Sequence, residues 1–164
     1  MKKQFFFLIG ILFWFVIPTV AQTTKTPTTI PPFNILQTNG KFFQASELDK
    51  TKPVVLIYFA PDCPHCQVLM EGLFKNINTF KKTQVVLITF KPISELQLFE
   101  RQFNIPAYPN IKTGTEGNTF FLRYYYNLSQ TPFTAVFNKG TMVCSFRDIN
   151  TPIGSIMNCV KNLK

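Results

Sequence analysis

A CxxC motif that directly follows an apolar run constrains the fold of this 164-residue chain more than any other feature. Residues 54–60 form the apolar run, and the motif is Cys63-Pro64-His65-Cys66. The run is typical of a buried strand, and Pro64 suits the first position of a helix, which needs no amide hydrogen. A helix N-terminus stabilises a thiolate. A strand that delivers two cysteines to a helix start therefore predicts a thiol–disulfide redox site.

The first 21 residues have the pattern of a secretory signal peptide. Two lysines precede an apolar segment at residues 5–17, and Thr19-Val20-Ala21 fits a cleavage site. The segment is short for a membrane-spanning helix, which needs about 20 residues, although an uncleaved anchor stays open as the alternative. We therefore predict an exported protein, periplasmic or extracellular, whose mature chain begins at Gln22. Disulfides persist in those compartments.

The composition of the chain indicates one folded domain. Hydrophobic residues make up 46% of the sequence and charged residues 15%, and 19 residues are Phe. This is a globular composition. Residues 22–32, rich in Thr and Pro, predict a linker, and residues 33–164 predict the domain. The formal net charge is +9, but the bases are scattered and form no basic stripe. We therefore predict no nucleic-acid partner, and membrane contact only if the N-terminal segment stays uncleaved.

Apolar periodicity and turn residues predict an α/β fold with a central mixed β-sheet flanked by helices. Residues 120–128 suit a strand or a buried helix, and we favour the helix because a strand follows closely. The first predicted elements are a hairpin at 33–36 and 41–43 around Asn39-Gly40, a helical turn at 46–48 and a strand at 54–60. The helix after the CxxC motif, with Val68, Leu69 and Leu73 facing inward, is followed by a strand at 84–90 and by a helix from the cap residue Ser94 to Phe103, with Leu98 among its apolar positions. The remaining predicted elements are a loop at 105–118, the helix at 120–128, a hairpin at 134–138 and 141–146, and a closing helix at 153–163.

This order of elements resembles the thioredoxin family over residues 33–164. The segment from Phe59 to Cys66 resembles the family's active-site turn, Thr131-Pro132-Phe133 its cis-proline, and Asn138-Lys139-Gly140 the hairpin turn that follows. The additional helix and loop before Thr131 resemble exported thioredoxin-like proteins of the TlpA/ResA kind. The Pro-His dipeptide is that of the bacterial oxidant DsbA. The resemblance implies an enzyme that exchanges disulfides with protein substrates and with a redox partner protein.

Each residue of the motif has an expected role. Cys63, at the helix start, is the expected nucleophile, and Cys66, one turn further in, is the expected resolving thiol. A protonated His65 would stabilise the thiolate of Cys63 and make the pair more oxidising, whereas Asp62 would act in the opposite sense. Reductase or isomerase activity fits the TlpA/ResA-like layout, and oxidase activity fits Pro-His, so the direction stays open.

Two further features of the family, its cis-proline and its buried acid, can be compared with Thr131, Pro132 and Ile57 of this chain. The resemblance implies that Pro132 is cis and that Thr131 lines the substrate groove, where an extended chain can add to the exposed backbone. A trans proline that opens a strand is the alternative. The family's strand carries a buried Asp six residues before the first cysteine, and this chain has Ile57 there.

The four cysteines allow several interpretations besides a redox pair. Cys144 and Cys159 are candidates for a structural disulfide, with two buried free thiols as the alternative. They lie too far apart in the sequence to complete a zinc site with the CxxC motif, so we predict no metal and no cofactor. A CxxC disulfide that stays permanently closed would instead make the chain a non-catalytic interaction module.

Overall fold

The structure is a computed structural model that describes residues 27–163, so the predicted signal peptide lies outside the described residues. Seven strands form one sheet in the order β2-β1-β5-β4-β3-β6-β7. The strands are β1 (Asn34–Leu36), β2 (Phe42–Gln44), β3 (Val54–Phe59), β4 (Gln84–Thr89), β5 (Ile111–Thr115), β6 (Phe133–Asn138) and β7 (Thr141–Phe146), and the helices are α1 (Pro64–Lys75), α2 (Ile93–Gln102), α3 (Phe121–Tyr126) and α4 (Ile153–Lys161). Within residues 27–163 no helix is both long and apolar enough to cross a bilayer.

Parallel pairing at the centre of the sheet fixes the position of the CxxC motif. β3 pairs in parallel with β4, and β4 with β5, while β6 is antiparallel to β3 on its other side. The carboxyl ends of β3, β4 and β5 therefore lie at one edge of the sheet. The CxxC motif follows β3, so it lies at that edge.

The core has two halves, one on each face of the sheet. Val55, Ile57 and Phe59 point to the face covered by α1, α2 and α4, and the alternate residues of β3 point to the face covered by α3. Every residue of β3 is buried, which explains its uninterrupted apolar sequence. This face assignment puts Cys66 in the same half of the core as Ile57.

Most predicted elements are present, and the predicted loop at 105–118 is the main error. It contains β5, which runs between β1 and β4, and a short 3-10 turn at Ile105–Ala107. The loop prediction rests on Pro106, Pro109, Gly114 and Gly117, which favour turns in a sequence pattern, but Gly114 lies inside β5. A Cβ atom on Gly114 would lie 2.7 Å from the side chain of Ile35. The glycine is therefore required by the close approach of β1, which is one of the uses of glycine inside a strand.

Two smaller predictions on the helices are also wrong. Ser94 does not cap α2, because the residue before the helix is Pro92 and no side-chain cap bond forms there. Val68 does not face the core, since it is 70% exposed, and the apolar Leu98 of α2 is 60% exposed. The predicted helix at 120–128 is confirmed as the shorter α3.

The residues that precede β1 attach to the far edge of the sheet. The Met142 backbone N–H donates to the Thr28 carbonyl at 2.6 Å, and Thr29 forms an isolated bridge with Thr141. Thr141 pairs with Asn138 at the end of β6 that lies beside Val54. The lead-in segment, residues 27–33, therefore joins the sheet at the end of β3 that is opposite Cys63.

Candidate active site

The turn from β3 into α1 is held by backbone hydrogen bonds on both sides of Cys63. The Cys63 N–H donates to the Ala60 carbonyl at 3.1 Å, and the Gln67 N–H donates to the Cys63 carbonyl at 3.0 Å. Cys63 has an extended backbone and Pro64 is the first residue of α1. The nucleophile position is thus the N-cap of a twelve-residue helix, where unpaired N–H groups and the helix dipole favour an anion.

Cys63 is a half-buried free thiol. Its partial burial opposes ionisation, but hydrogen bonds from the Cys66 backbone and thiol, from Thr131 and from the His65 backbone outweigh this effect. The pKa of Cys63 is therefore lowered from that of an ordinary thiol. A lowered pKa together with partial exposure is characteristic of a reactive cysteine.

Cys66 has the opposite properties. It is also free, but its side chain is only 1% exposed. Burial, reinforced by the neighbouring Cys63, raises the pKa of Cys66 to about 12. The two thiols are therefore differentiated by their environments, and Cys63 ionises at lower pH than Cys66.

The loop before β6 contacts the nucleophile. The peptide bond between Thr131 and Pro132 is cis, which confirms the predicted isomer. The Cys63 thiol lies 3.6 Å from the Thr131 carbonyl and can donate to it. Pro132 is buried and Thr131 is half-buried, so the structure places Thr131 against the CxxC motif, with Pro132 next to it in the chain.

An ion pair beside the motif is the part of the site that the sequence analysis missed. The Lys91 ammonium lies 2.5 Å from Asp62 Oδ2 and 3.9 Å from Glu95 Oε2. The hydrogen bond from Lys91 is the main cause that lowers the pKa of Asp62. Lys91 follows β4 as Asp62 follows β3, and Phe59 is in register with Thr89. The rule that parallel strands end at one edge could have identified this pair.

His65 and Ile57 complete the set of predicted positions. His65 is exposed on the first turn of α1. Ile57 is fully buried in the same half of the core as Cys66. A buried carboxyl group does occur in the domain, at Glu116, but it accepts a hydrogen bond from the Leu122 N–H at 3.0 Å, on the other face of the sheet. Glu116 therefore does not take the place of the family's buried acid.

A disulfide joins Cys144 in β7 to Cys159 in α4. The two Cα atoms are 6.6 Å apart, within the usual range for a disulfide. The bond ties the last helix to the edge strand of the sheet. Within residues 27–163 no group of three or more His, Cys, Asp or Glu side chains is arranged to hold a metal ion.

A strand–helix junction with two differentiated thiols and a cis-proline contact defines a thioredoxin-fold protein. The family model described as Thioredoxin matches residues 34–146, which is more than half of the chain. The chain belongs to the thioredoxin family. A curated relative, the rice (Oryza sativa subsp. japonica) protein disulfide isomerase-like 2-1, is 23% identical over 95 residues. The match covers 58% of this chain but 26% of the rice protein, so the chain spans about a quarter of that relative.

Solved structures share the fold at low sequence identity. A secreted Mycobacterium tuberculosis disulfide oxidoreductase homologous to E. coli DsbE superposes with a TM-score of 0.67 at 18% identity, covering 80% of this chain and 96% of that protein. The peroxidoxin BcpB of M. tuberculosis superposes with a TM-score of 0.70 at 13% identity, covering 85% and 98%. These similarities establish the thioredoxin fold.

Proposed function

We propose that this chain is an exported thiol–disulfide oxidoreductase that exchanges disulfides with protein substrates through Cys63 and Cys66. The observation that carries the proposal is the contrast between the two thiols, one accessible with a lowered pKa and one buried with a raised pKa. A nucleophile and a resolving thiol need this contrast, because the first must ionise before the second. Two similar proteins, a protein disulfide isomerase-like protein and a secreted disulfide oxidoreductase, are consistent with it.

The reaction follows from the positions of the two sulfur atoms. The Cys63 thiolate attacks one sulfur of a substrate disulfide, the substrate S–S bond breaks, and the departing thiolate takes a proton from solvent. Cys66 then loses its proton and attacks the Cys63 sulfur, which breaks the mixed disulfide and releases the second substrate thiolate. Two electrons pass to the substrate and the Cys63–Cys66 disulfide forms. The reverse sequence oxidises a dithiol, and the reduction potential of the pair relative to its partners sets the direction.

Thr131 and Pro132 are the proposed substrate contacts. The Thr131 carbonyl lies 3.6 Å from the Cys63 sulfur, so a substrate chain bound along this loop would have its disulfide within reach of the nucleophile. An extended chain can pair with backbone groups at the end of a strand. We propose that the substrate pairs with the backbone beside Pro132 in this manner.

Export is proposed from the N-terminal sequence and the second cysteine pair. Residues 1–21 have the pattern of a cleaved signal peptide and residues 22–32 that of a linker, which leaves 33–164 as the functional domain. The disulfide between Cys144 and Cys159 fits an oxidising compartment. N-terminal sequencing of the exported protein should give Gln22, and a chain that still begins with Met1 would contradict cleavage.

The two thiols are tested by alkylation and by trapping. In the reduced protein Cys63 should alkylate first, with a pH midpoint below that of an ordinary thiol, while Cys66 should stay unreactive until far higher pH. Cys66→Ser should trap mixed disulfides with substrates and Cys63→Ser should trap none. Faster alkylation of Cys66 would refute the assignment of roles.

An insulin-reduction assay with dithiothreitol tests the activity. A wild-type protein that does not reduce insulin would be a non-catalytic module.

A further inference from the structure

Asp62 brings a negative charge to the position immediately before the nucleophile. A carboxylate beside a thiol opposes formation of the thiolate by charge repulsion. Lys91 follows the end of the neighbouring strand β4, and its ammonium lies 2.5 Å from that carboxylate. The Lys91 side chain is 24% exposed and that of Asp62 is 58% exposed, so the lysine is held largely out of solvent while the carboxylate remains partly solvated.

We propose that Lys91 is a positioning residue of the active site, which binds Asp62 so that its negative charge does not oppose ionisation of Cys63. The inference rests on the proposed function of the thiol pair. The thioredoxin fold does not require it, because Lys91 and Asp62 are 29 residues apart and are joined only by the parallel register of β3 and β4. Lys91 contacts neither the substrate nor the sulfur atoms in the steps described above.

The surrounding charges support this role for Lys91. Its hydrogen bond to Asp62 is the main cause that raises the pKa of Lys91 and lowers the pKa of Asp62, so both groups are charged at neutral pH. Glu95, on the first turn of α2, lies 3.9 Å from the ammonium and is the second carboxylate that faces it. The Lys91 ammonium also lies 5.8 Å from the Phe90 ring centroid, which favours a cation at this place.

Other titratable side chains near this edge belong to His65, Arg123 and Glu116, whose backbone N–H donates to the Thr89 carbonyl at 2.8 Å. His65 is exposed on α1. The Arg123 guanidinium lies over the rings of Phe90 and Phe120, at 5.2 Å and 5.8 Å from their centroids. Within residues 27–163, neither His65 nor Arg123 forms an ion pair with Asp62. The ammonium of Lys91 is therefore the cation placed to neutralise Asp62.

The test measures ionisation of Cys63 by thiolate absorbance against pH in the full-length protein without substrate. Lys91→Met should raise the Cys63 midpoint, with about a three- to tenfold smaller thiolate fraction at any pH below it, which is the size of effect one nearby charge produces at a partly solvated site. Asp62→Asn should leave the midpoint close to that of the wild type, because Lys91 already neutralises the charge that it removes. The double variant Asp62→Asn/Lys91→Met should also have a midpoint close to that of the wild type. Because Cys66 ionises only at far higher pH, the two titrations are separate.

A matched control uses the same substitution at an ion pair remote from the site. The Lys52 ammonium lies 3.5 Å from the Asp49 carboxylate, in the segment that precedes β3 and therefore at the end of this strand opposite Cys63. Lys52→Met should leave the Cys63 midpoint unchanged. Lys91→Arg keeps the positive charge and should also keep the wild-type midpoint. If Lys91→Met does not fold, Lys91→Gln, which is polar and uncharged, takes its place and should raise the midpoint in the same way.

The results separate this inference from the proposed function. An unchanged midpoint in Lys91→Met overturns the inference. A raised midpoint that persists in the double variant also overturns it, because Lys91 would then act on Cys63 without Asp62. A midpoint that shifts as expected in a protein that fails to reduce insulin supports the inference on ionisation and refutes the proposed activity.

Discussion

Replacement of Gly114 by alanine should weaken the domain through β1. A Cβ atom at this position would lie 2.7 Å from Cβ, Cγ1 and Cδ1 of Ile35, well inside van der Waals contact. A rotamer change of Ile35 cannot relieve the overlap, because the position of its Cβ is fixed by the backbone. β1 or β5 must therefore shift. Overpacking of this kind costs about 1–3 kcal/mol.

Urea unfolding measures the effect, with two other glycines as controls. A loss of about 2 kcal/mol at a urea m value of about 2 kcal/mol/M lowers the midpoint by about 1 M. Gly154 in α4 has no atom within 4 Å of an added Cβ, so Gly154→Ala should raise stability by about 0.5–1 kcal/mol. Gly72→Ala should fall between the two, because its Cβ would lie 3.0 Å from Ile153 Cγ2. A midpoint for Gly114→Ala equal to that of the wild type would refute the argument that β1 requires this glycine.

Two further predictions concern the redox chemistry and the second cysteine pair. His65→Ala should shift the potential of the thiol pair to more negative values by tens of millivolts, about 30 mV per tenfold change in equilibrium constant, because a protonated imidazole would stabilise the thiolate of the reduced form. A glutathione titration at one pH measures the shift, and an unchanged midpoint would show that the exposed imidazole does not act on Cys63. The double variant Cys144→Ala/Cys159→Ala should lose about 3 kcal/mol of unfolding free energy, as expected for a cross-link over 15 residues. The alkylation rate of Cys63 should not change. Equal stability of the variant and the wild type in urea would argue against a stabilising bond.

The parts of the fold that the sequence predicted are those with strong local patterns. β3 and β4 are continuous apolar runs, and the Asn39-Gly40 turn joins β1 to β2 in an antiparallel pair. The CxxC motif could be placed at a helix start because strand, turn and helix are adjacent in the chain. For the same reason the contrast between an accessible Cys63 and an inner Cys66 could be predicted from their spacing of one helical turn.

The parts that the sequence did not predict depend on residues far apart in the chain. Pro106, Pro109, Gly114 and Gly117 predict a loop around β5. The segment is a strand because it pairs with β4 and β1, and Gly114 permits the close approach of Ile35. Val68 fits the apolar pattern of α1, but the helix packs on the core through Leu69 and Leu73, and the Val68 side chain is left exposed. These outcomes are set by tertiary packing, which overrides local preference.

The attachment of the lead-in segment to β7 determines how the domain is presented when it is held by its N-terminal end. Thr28 and Thr29 join the sheet beside the Val54 end of β3, and Cys63 follows the other end. The six residues of β3 separate these points by about 20 Å. A domain tethered through this end to any surface would therefore direct its thiol pair outward, away from the surface. Partners would approach the nucleophile from the open side without displacing the tether.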